Sequence, residues 1–427
     1  MAQDIEICSF LMGSHKTNKI IEWMKSNPNE KYIYVIPNLS ELEDTEDTPS
    51  RVLSIGFETP EVDKENKTKS ESLYSKLVLG ANIACTHALY KMLSKKHLEL
   101  IRQQNYIIVA DEEVSLINVY EQASSADLVS LLNDNKVEIS EEDGLVKWVA
   151  DDIVSEPYKD TKHKHHRFYV HITNENIYTT RCTKKNGVYD NAFMVSQITK
   201  ELVSCAKRLI IITYLFKGSV LDAFLRLKGF NTVRFEDVGI VEAPLQDVVS
   251  RIKLLPYDNK LSKCKLSSSW WKGADASDIK TINNYIRRVS EKEGFESNLV
   301  MWTCPSDRVK GVGKSKVKNF INPVGYTKDK AGDTLWLGCS VRATNKYSHK
   351  KLAIHCFDRY PHVAIESYLL DYGIKIDKEV FAITELLQWC FRGNIRVDGG
   401  TMTLAIASKR MYDLYLKWTR GEFKDEF

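Results

Sequence analysis

Short apolar runs, each followed by a helix-like pattern, recur along the first half of the chain. Ile5–Met12 reads as a strand, and Thr17–Ser26 as a helix whose Ile20, Ile21 and Trp23 form a buried stripe. Lys31–Pro37 (KYIYVIP) reads as a second strand, stopped by Pro37 and Asn38. The polar stretch Glu41–Glu71 follows, with one weak strand expected at Val52–Phe57. Leu73–Leu79 is helical, Asn82–Thr86 a strand, His87–Leu98 helical and Asn105–Ala110 (NYIIVA) another buried strand. Ala126–Val154 reads as mostly helical, Lys162–Cys182 as a pair of strands, and Gln197–Lys207 as a helix. That helix leads into Arg208–Tyr214 (RLIIITY), a continuous apolar strand, and a further helix closes at Gly229. Continuous rather than alternating apolar strands are those of a parallel sheet covered on both faces.

Asp237–Ser269 is less regular and is the expected junction. Beyond it the pattern restarts: helix Asp278–Glu293, strands Asn298–Cys304 and Thr334–Gly338, a helix near Ala364–Tyr372, helix Glu379–Arg392, strand Met402–Ile406 and helix Lys409–Lys417. The expectation is two α/β lobes, 1–240 and 241–427, with an insertion near 120–185 in the first.

Bulk properties narrow the class without naming it. At 427 residues the chain is long enough for two or three domains. Its 60 Lys+Arg against 57 Asp+Glu are too balanced to indicate nucleic acid by net charge, though a local basic groove is compatible. The nine cysteines form no CxxC pair, so buried free thiols are expected rather than a zinc ribbon. MAQDIEIC carries acids and no basic leader pattern, and no run approaches a membrane span. Together these predict a cytoplasmic protein with no membrane partner.

The first stretch with chemistry is IEICSFLMGSHKTNKIIEWM, from Ile5 to Met24. Strand, glycine-bearing turn, Lys, Thr and helix together point backbone N–H groups and a helix N-terminus at an anion. Gly13, Ser14 and His15 would form the turn, Lys16 would reach outer phosphates, and Thr17 would ligate Mg²⁺. The full G-x-x-x-x-G-K-[ST] spacing is not met, because His15 stands at the second glycine and Phe10 at the first. G-x-x-K-T alone reads equally as an ordinary turn. A second element adds weight: the strand Tyr106–Ala110 ends in Asp111-Glu112. A carboxylate at such a strand end holds Mg²⁺, and the adjacent Glu can polarise an attacking water. The alternative for Asp111–Glu113 is a solvated acidic turn.

The second stretch is Glu385–Arg396, ELLQWCFRGNIR. On a continuous helix Gln388, Arg392 and Arg396 would share one face, suited to triphosphate oxygens across a cleft. The alternative is a solvated face, and Gly393 is placed to end the helix. Three lesser features carry weaker readings. His163 and His165 in KHKHH would share a strand face without completing a metal set. Trp270-Trp271 reads as interdomain packing more readily than as a base-stacking platform. Arg308–Lys318 is the densest basic stretch and includes a decoy Gly-Lys-Ser.

The order of these elements resembles that of superfamily 2 DExx-box helicases, in particular divergent phage-type members. MGSHKT (Met12–Thr17) sits where that family has its Walker A loop, and VADEE (Val109–Glu113) is similar to its DExx box. VIPNLSEL (Val35–Leu42) and ACTHALYKML (Ala84–Leu93) occupy the places of motifs Ia and Ib. IITYLFKGS (Ile211–Ser219), VRATNKYSHK (Val341–Lys350) and QWCFRGNIR (Gln388–Arg396) resemble motifs III, V and VI. The resemblance implies two RecA-like lobes, ATP and Mg²⁺ between them, and a nucleic-acid strand across the top, DNA favoured over RNA. It implies catalytic roles for Lys16, Glu112, Arg392 and Arg396. Nucleotide contacts would come from Gly13, Ser14, His15, Lys16, Thr17 and Gln388. Mg²⁺ contacts would come from Thr17 and Asp111, and strand contacts from Thr86, His87, Thr213, Thr344 and Asn345. Replication or recombination proteins are the partners it suggests, in the host cytoplasm if the chain is phage-encoded. Two other functions stay open: a terminase-type packaging ATPase, and a catalytically decayed helicase core that acts as a nucleic-acid or protein binding module and binds neither ATP nor Mg²⁺.

Overall fold

A computed structural model describes residues 4–37, 52–181, 193–240, 242, 244–312, 317, 319–339, 341 and 346–427, with the short strands 184–185 and 188–189. The first sheet holds six parallel strands: β1 (Asp4–Ser9), β2 (Tyr32–Ile36), β3 (Ile83–Thr86), β4 (Ile107–Asp111), β5 (Arg208–Thr213) and β6 (Asn231–Arg234). Their order across the sheet is β6-β1-β5-β4-β2-β3. The register pairs Glu6 with Ile210, Ile210 with Val109, and Ile33 with Ile108, so the apolar runs stand side by side. Tyr32–Ile36 is buried throughout because helices cover both faces. One face packs Ile7, Ile33, Ile108 and Leu209 with Leu73, Leu77 and Phe224 of the covering helices. The other packs Cys8, Tyr34, Val109 and Ile212 with Ile20, Ile21 and Met24.

The second sheet is also parallel: β7 (Ile252–Leu254), β8 (Val300–Thr303), β9 (Leu352–His355) and β10 (Met402–Ile406), in the order β7-β10-β9-β8. Its faces carry separate cores, one built on Leu386, Leu387 and Trp389, the other on Ile282, Ile286 and Trp271. The fold is therefore α/β, with six- and four-stranded parallel sheets flanked by helices, consistent with two RecA-like lobes.

Several elements differ from expectation. Val52–Phe57 holds a 3-10 turn at Leu53–Ile55, not a strand. Lys162–Cys182 holds the helix His166–Thr173 and then the strand Ile177–Thr179. Phe168 and Ile172, four apart, bury one face of that helix, so helical spacing prevails over β-branched content. Ala126–Val154 contains helix Ser125–Asn133 and then the antiparallel pair Val137–Ile139 and Val146–Trp148. Gln197 belongs to a strand, and the helix expected from it is only Lys200–Ser204. Thr334–Gly338 touches β8 through a single bridge at Trp336, and the true neighbour of β8 is β9. Trp271 lies in the second lobe's own core rather than between lobes.

Between β4 and β5 the chain forms a side module. Its three antiparallel strands are Ile117–Val119, Met194–Gln197 and Ile177–Thr179, in that order. The module leans on the second lobe through the helix Val363–Asp371, whose Ala364, Tyr368 and Leu369 join the first lobe's core. The Tyr368 hydroxyl donates to the carbonyl of Asp143 at 2.7 Å, and the Asp371 carboxylate accepts from the amide of Arg181 at 2.8 Å. Tyr368→Phe should lower unfolding stability by about 1 kcal/mol, the worth of one hydrogen bond. Tyr368→Ala should cost ~3–5 kcal/mol through the cavity it leaves. Denaturant titration checks both, and unchanged midpoints would show that this docking contributes nothing.

Candidate functional site

At the C-terminal end of β1 the chain leaves the sheet through Phe10 and Leu11 and reverses over Met12–His15. Gly13 (φ 85°) and His15 (φ 56°) both take the left-handed conformation. A glycine does so without steric cost, and histidine tolerates it better than most side chains. The turn delivers the chain into the helix Lys16–Ser26, held down by buried Ile20, Ile21 and Met24. His15 has no side-chain capping bond, and its ring points across the cleft to Asp398 of the second lobe at 3.6 Å.

Lys16 folds back on its own loop, donating to the carbonyls of Phe10 (2.7 Å) and Leu11 (3.1 Å). Burial lowers its ammonium to about 8, against the opposing pull of Cys8, Asp111, Glu242 and Glu112. Two strands away β4 ends at Asp111. That carboxylate accepts from the Tyr34 hydroxyl at 2.8 Å and from the Thr17 hydroxyl at 3.2 Å. Burial raises the Asp111 carboxyl, while Tyr34 and Thr17 oppose the rise. Glu112 follows with φ 65°, which turns it out of the strand direction toward the other lobe.

There it meets Arg392, whose Nη2 donates to Glu112 Oε1 at 2.6 Å. Arg392 is 4% exposed. The helix that brings it, Lys378–Cys390, stops before it, and Gly393 takes an extended backbone. Arg396 sits in the short turn Asn394–Arg396, so it does not continue the ridge of Gln388 and Arg392 as a straight helix would predict. All three nevertheless line one cavity of about 420 Å³ between the lobes, with Gly13 to Thr17, Asp111 and Glu112. The donor set fits a polyanion: besides Lys16, the Ser14 hydroxyl and Arg392 Nε are buried without a partner among the described residues. The adjacent Thr17 and Asp111 oxygens are the hard donors a magnesium ion takes.

The remaining predicted residues fall elsewhere. Thr86 caps the helix His87–Lys91 by accepting from the amide of Leu89. His87 Nε2 donates to the carbonyl of Asp111 at 3.1 Å, tying that segment to the acidic strand end. The Thr213 hydroxyl donates to Glu113 at 3.0 Å and also borders the cavity. Thr344 and Asn345 lie outside the described residues, as do parts of Val35–Leu42 and Arg308–Lys318. His163 and His165 sit in a turn before a helix, and no set of metal-ligating side chains gathers among the described residues. Sequence reasoning missed Tyr34, Tyr214, Phe391 and Asp398. Only Tyr34 carried a signal: a polar-tipped residue on a buried strand beside the acidic one.

The Arg392–Glu112 pair joins the lobes, so removing one partner strands a buried charge. Glu112→Ala, which strands the buried Arg392, should destabilise the chain by ~3–5 kcal/mol; Arg392→Ala leaves a Glu112 side chain that is 24% exposed and should cost less, and the double variant should cost less than the sum of the single changes. A urea double-mutant cycle checks this; additive losses would mean the pair does not couple.

Comparison with known proteins bears on the second lobe. Residues 246–419 match the family described as the YonV C-terminal Rossmann-like domain. Over 98% of its length the chain is 24% identical to the SPbeta prophage-derived uncharacterized protein YonV of Bacillus subtilis strain 168, spanning 99% of that protein. Among solved structures it is similar to S. tokodaii Xpd4, at 13% identity and TM-score 0.48, over 97% of this chain and 94% of that one. It is also similar to the DUF1998 helicase MrfA bound to DNA and AMPPNP, at 11% identity and TM-score 0.34, over 99% of this chain and 49% of that one. Among the described residues no helix is long and apolar enough to cross a membrane.

Proposed function

We propose that the chain is an ATP-dependent helicase or translocase of a nucleic acid, DNA in preference to RNA, acting in the cytoplasm of a phage-bearing host. The observation that carries the reading is the convergence of Lys16, Thr17, Asp111, Glu112, Arg392 and Arg396 on one cavity between two α/β lobes.

In this reading Lys16 exchanges the Phe10 and Leu11 carbonyls for phosphate oxygens. The exchange restores a charge partner that the carbonyls only approximate. Thr17 and Asp111 would hold magnesium, which would supply charge neutralisation on the phosphates. Glu112 orients and accepts a proton from the attacking water once Arg392 releases it, and Arg392 then turns its fork toward the leaving phosphate. Nucleotide binding would thereby trade a protein ion pair for a phosphate contact, loss of the phosphate after hydrolysis would restore the pair, and that exchange would move the lobes. Thr213 and His87, both bonded at the acidic strand end, carry the movement toward the bound strand. Replication or recombination proteins are the partners of such an activity.

A second reading, a core that binds without turnover, is favoured by the same Arg392–Glu112 bond, because it occupies both groups at once. ATP turnover with and without single-stranded DNA separates the two. Stimulated turnover that falls ~10²–10⁴-fold in Glu112→Gln supports the enzyme. Nucleotide binding without turnover supports the second reading, and neither binding nor turnover refutes both.

The lowered Lys16 ammonium sets a pH dependence. Below about 8 it is charged, and above that it loses its proton before any ligand arrives. A polyanion prefers the charged form, so nucleotide affinity should fall as pH rises through 8, by up to about tenfold per pH unit. Titrations between pH 7 and 10 check this, and Lys16→Ala should be weak and flat across the range.

A further inference from the structure

Past the helix Lys409–Thr419 the chain leaves the second lobe and lies on the first. Phe423 still packs on the second lobe's core. Further on, the Phe427 ring stacks on Phe216 of the first lobe's core, with centroids 6.1 Å apart and planes 11° apart. The Lys217 ammonium lies over the same ring at 4.8 Å. Asp425 stands between these two anchors. One of its oxygens accepts from the amide of Lys217 at 2.8 Å, in the loop after β5, and the other from the hydroxyl of Ser9, the last residue of β1. β1 and β5 are neighbours in the sheet, so one carboxylate ties the loops that leave both strand ends. Ser9 directly precedes Phe10 and Leu11, whose carbonyls hold Lys16. Glu242, from the junction, accepts from the amide of Leu11. Elsewhere the tail stands off the loop across a cavity of about 500 Å³, so hydrogen bonds rather than packing hold the loop's root.

We infer that Asp425 is a positioning residue: through it the second lobe's tail fixes the root of the phosphate loop. The inference rests on the anion site proposed above and goes beyond it, because Asp425 lies outside the cleft cavity and reaches the site only through Ser9. Hydrogen bonds to a carboxylate are strong, and a pair drawn from two different loops fixes their spacing. The phosphate loop needs that support. It carries two left-handed residues, Gly13 and His15, and an anion held by its amides binds more tightly when their order is already in place. The support comes from the opposite lobe, so a shift of that lobe is felt where Lys16 is anchored as well as at Arg392.

The test uses the full chain as wild type, Asp425→Ala and Asp425→Asn. Asp425 belongs to neither lobe's core, so its replacement leaves both intact. Backbone amide exchange is followed at residues 10–17, and the affinities for ATP and inorganic tripolyphosphate are measured by calorimetry. Asp425→Ala should speed exchange in the loop and leave β2 and β4 unchanged. It should weaken both anions about tenfold, or about 1.4 kcal/mol. In turnover the KM for ATP should rise while kcat stays the same, the mark of a loss in binding alone. Asp425→Asn keeps one acceptor oxygen and should recover part of each effect. Unchanged loop exchange in Asp425→Ala would overturn the inference. So would faster exchange spread over the whole first sheet, or a loss that Asp425→Asn does not relieve, since either would mark a merely structural contact. Failure of wild type to bind either anion would take down the proposed function, while faster exchange confined to the loop in Asp425→Ala would still support the tail's hold on it.

Discussion

A guanidinium that is almost wholly buried must have a partner, and Arg392 finds it in the opposite lobe. That requirement organises the cleft. Glu112 can meet it only because the backbone turns left-handed immediately after β4, at a residue with a full side chain. Such a conformation is unfavourable for glutamate in isolation and persists where its surroundings compensate. Here the compensation includes an ion pair across the cleft. One of the contacts between the lobes is therefore made by the groups that line the cleft cavity, so a change at either group alters both the cleft and the interface.

Parallel strands supply the other half of the arrangement. With β5 inserted between β1 and β4, the loop after β1 and the acids after β4 flank a third strand end, at Thr213. All three open on one edge of the sheet, where α/β folds gather their ligands. Nothing in the loop sequence specifies this spacing. It follows from the pairing of Ile210 with Glu6 on one side and Val109 on the other.

What could be read in advance follows the same logic. β1, β2, β4 and β5 are buried on both faces, so their composition alone marks them. β6, NTVR, lies at the sheet edge with exposed ends and carries no apolar signature. β9, LAIH, is only four residues long beside two lysines, while Leu335 and Leu337 are buried without a ladder. The phosphate loop was legible because its parts are consecutive. Gln388 and Arg392 were legible because they lie one helical turn apart. Tyr34 on Asp111, Asp398 beside His15, and the tail beside Ser9 were not, since each joins residues far apart in the chain and no local pattern reports such meetings.

Among the described residues the lobes touch at several separated places, including the cleft pair, the side module against the helix Val363–Asp371, Gly218 against Asp377, Tyr214 against Trp418, and the terminal tail against β1. A body resting on several separated supports has no free axis about which to swing. Any relative displacement would have to slide along these supports or lift one of them. The extent of such a displacement is set by how far one support yields before the next takes the load.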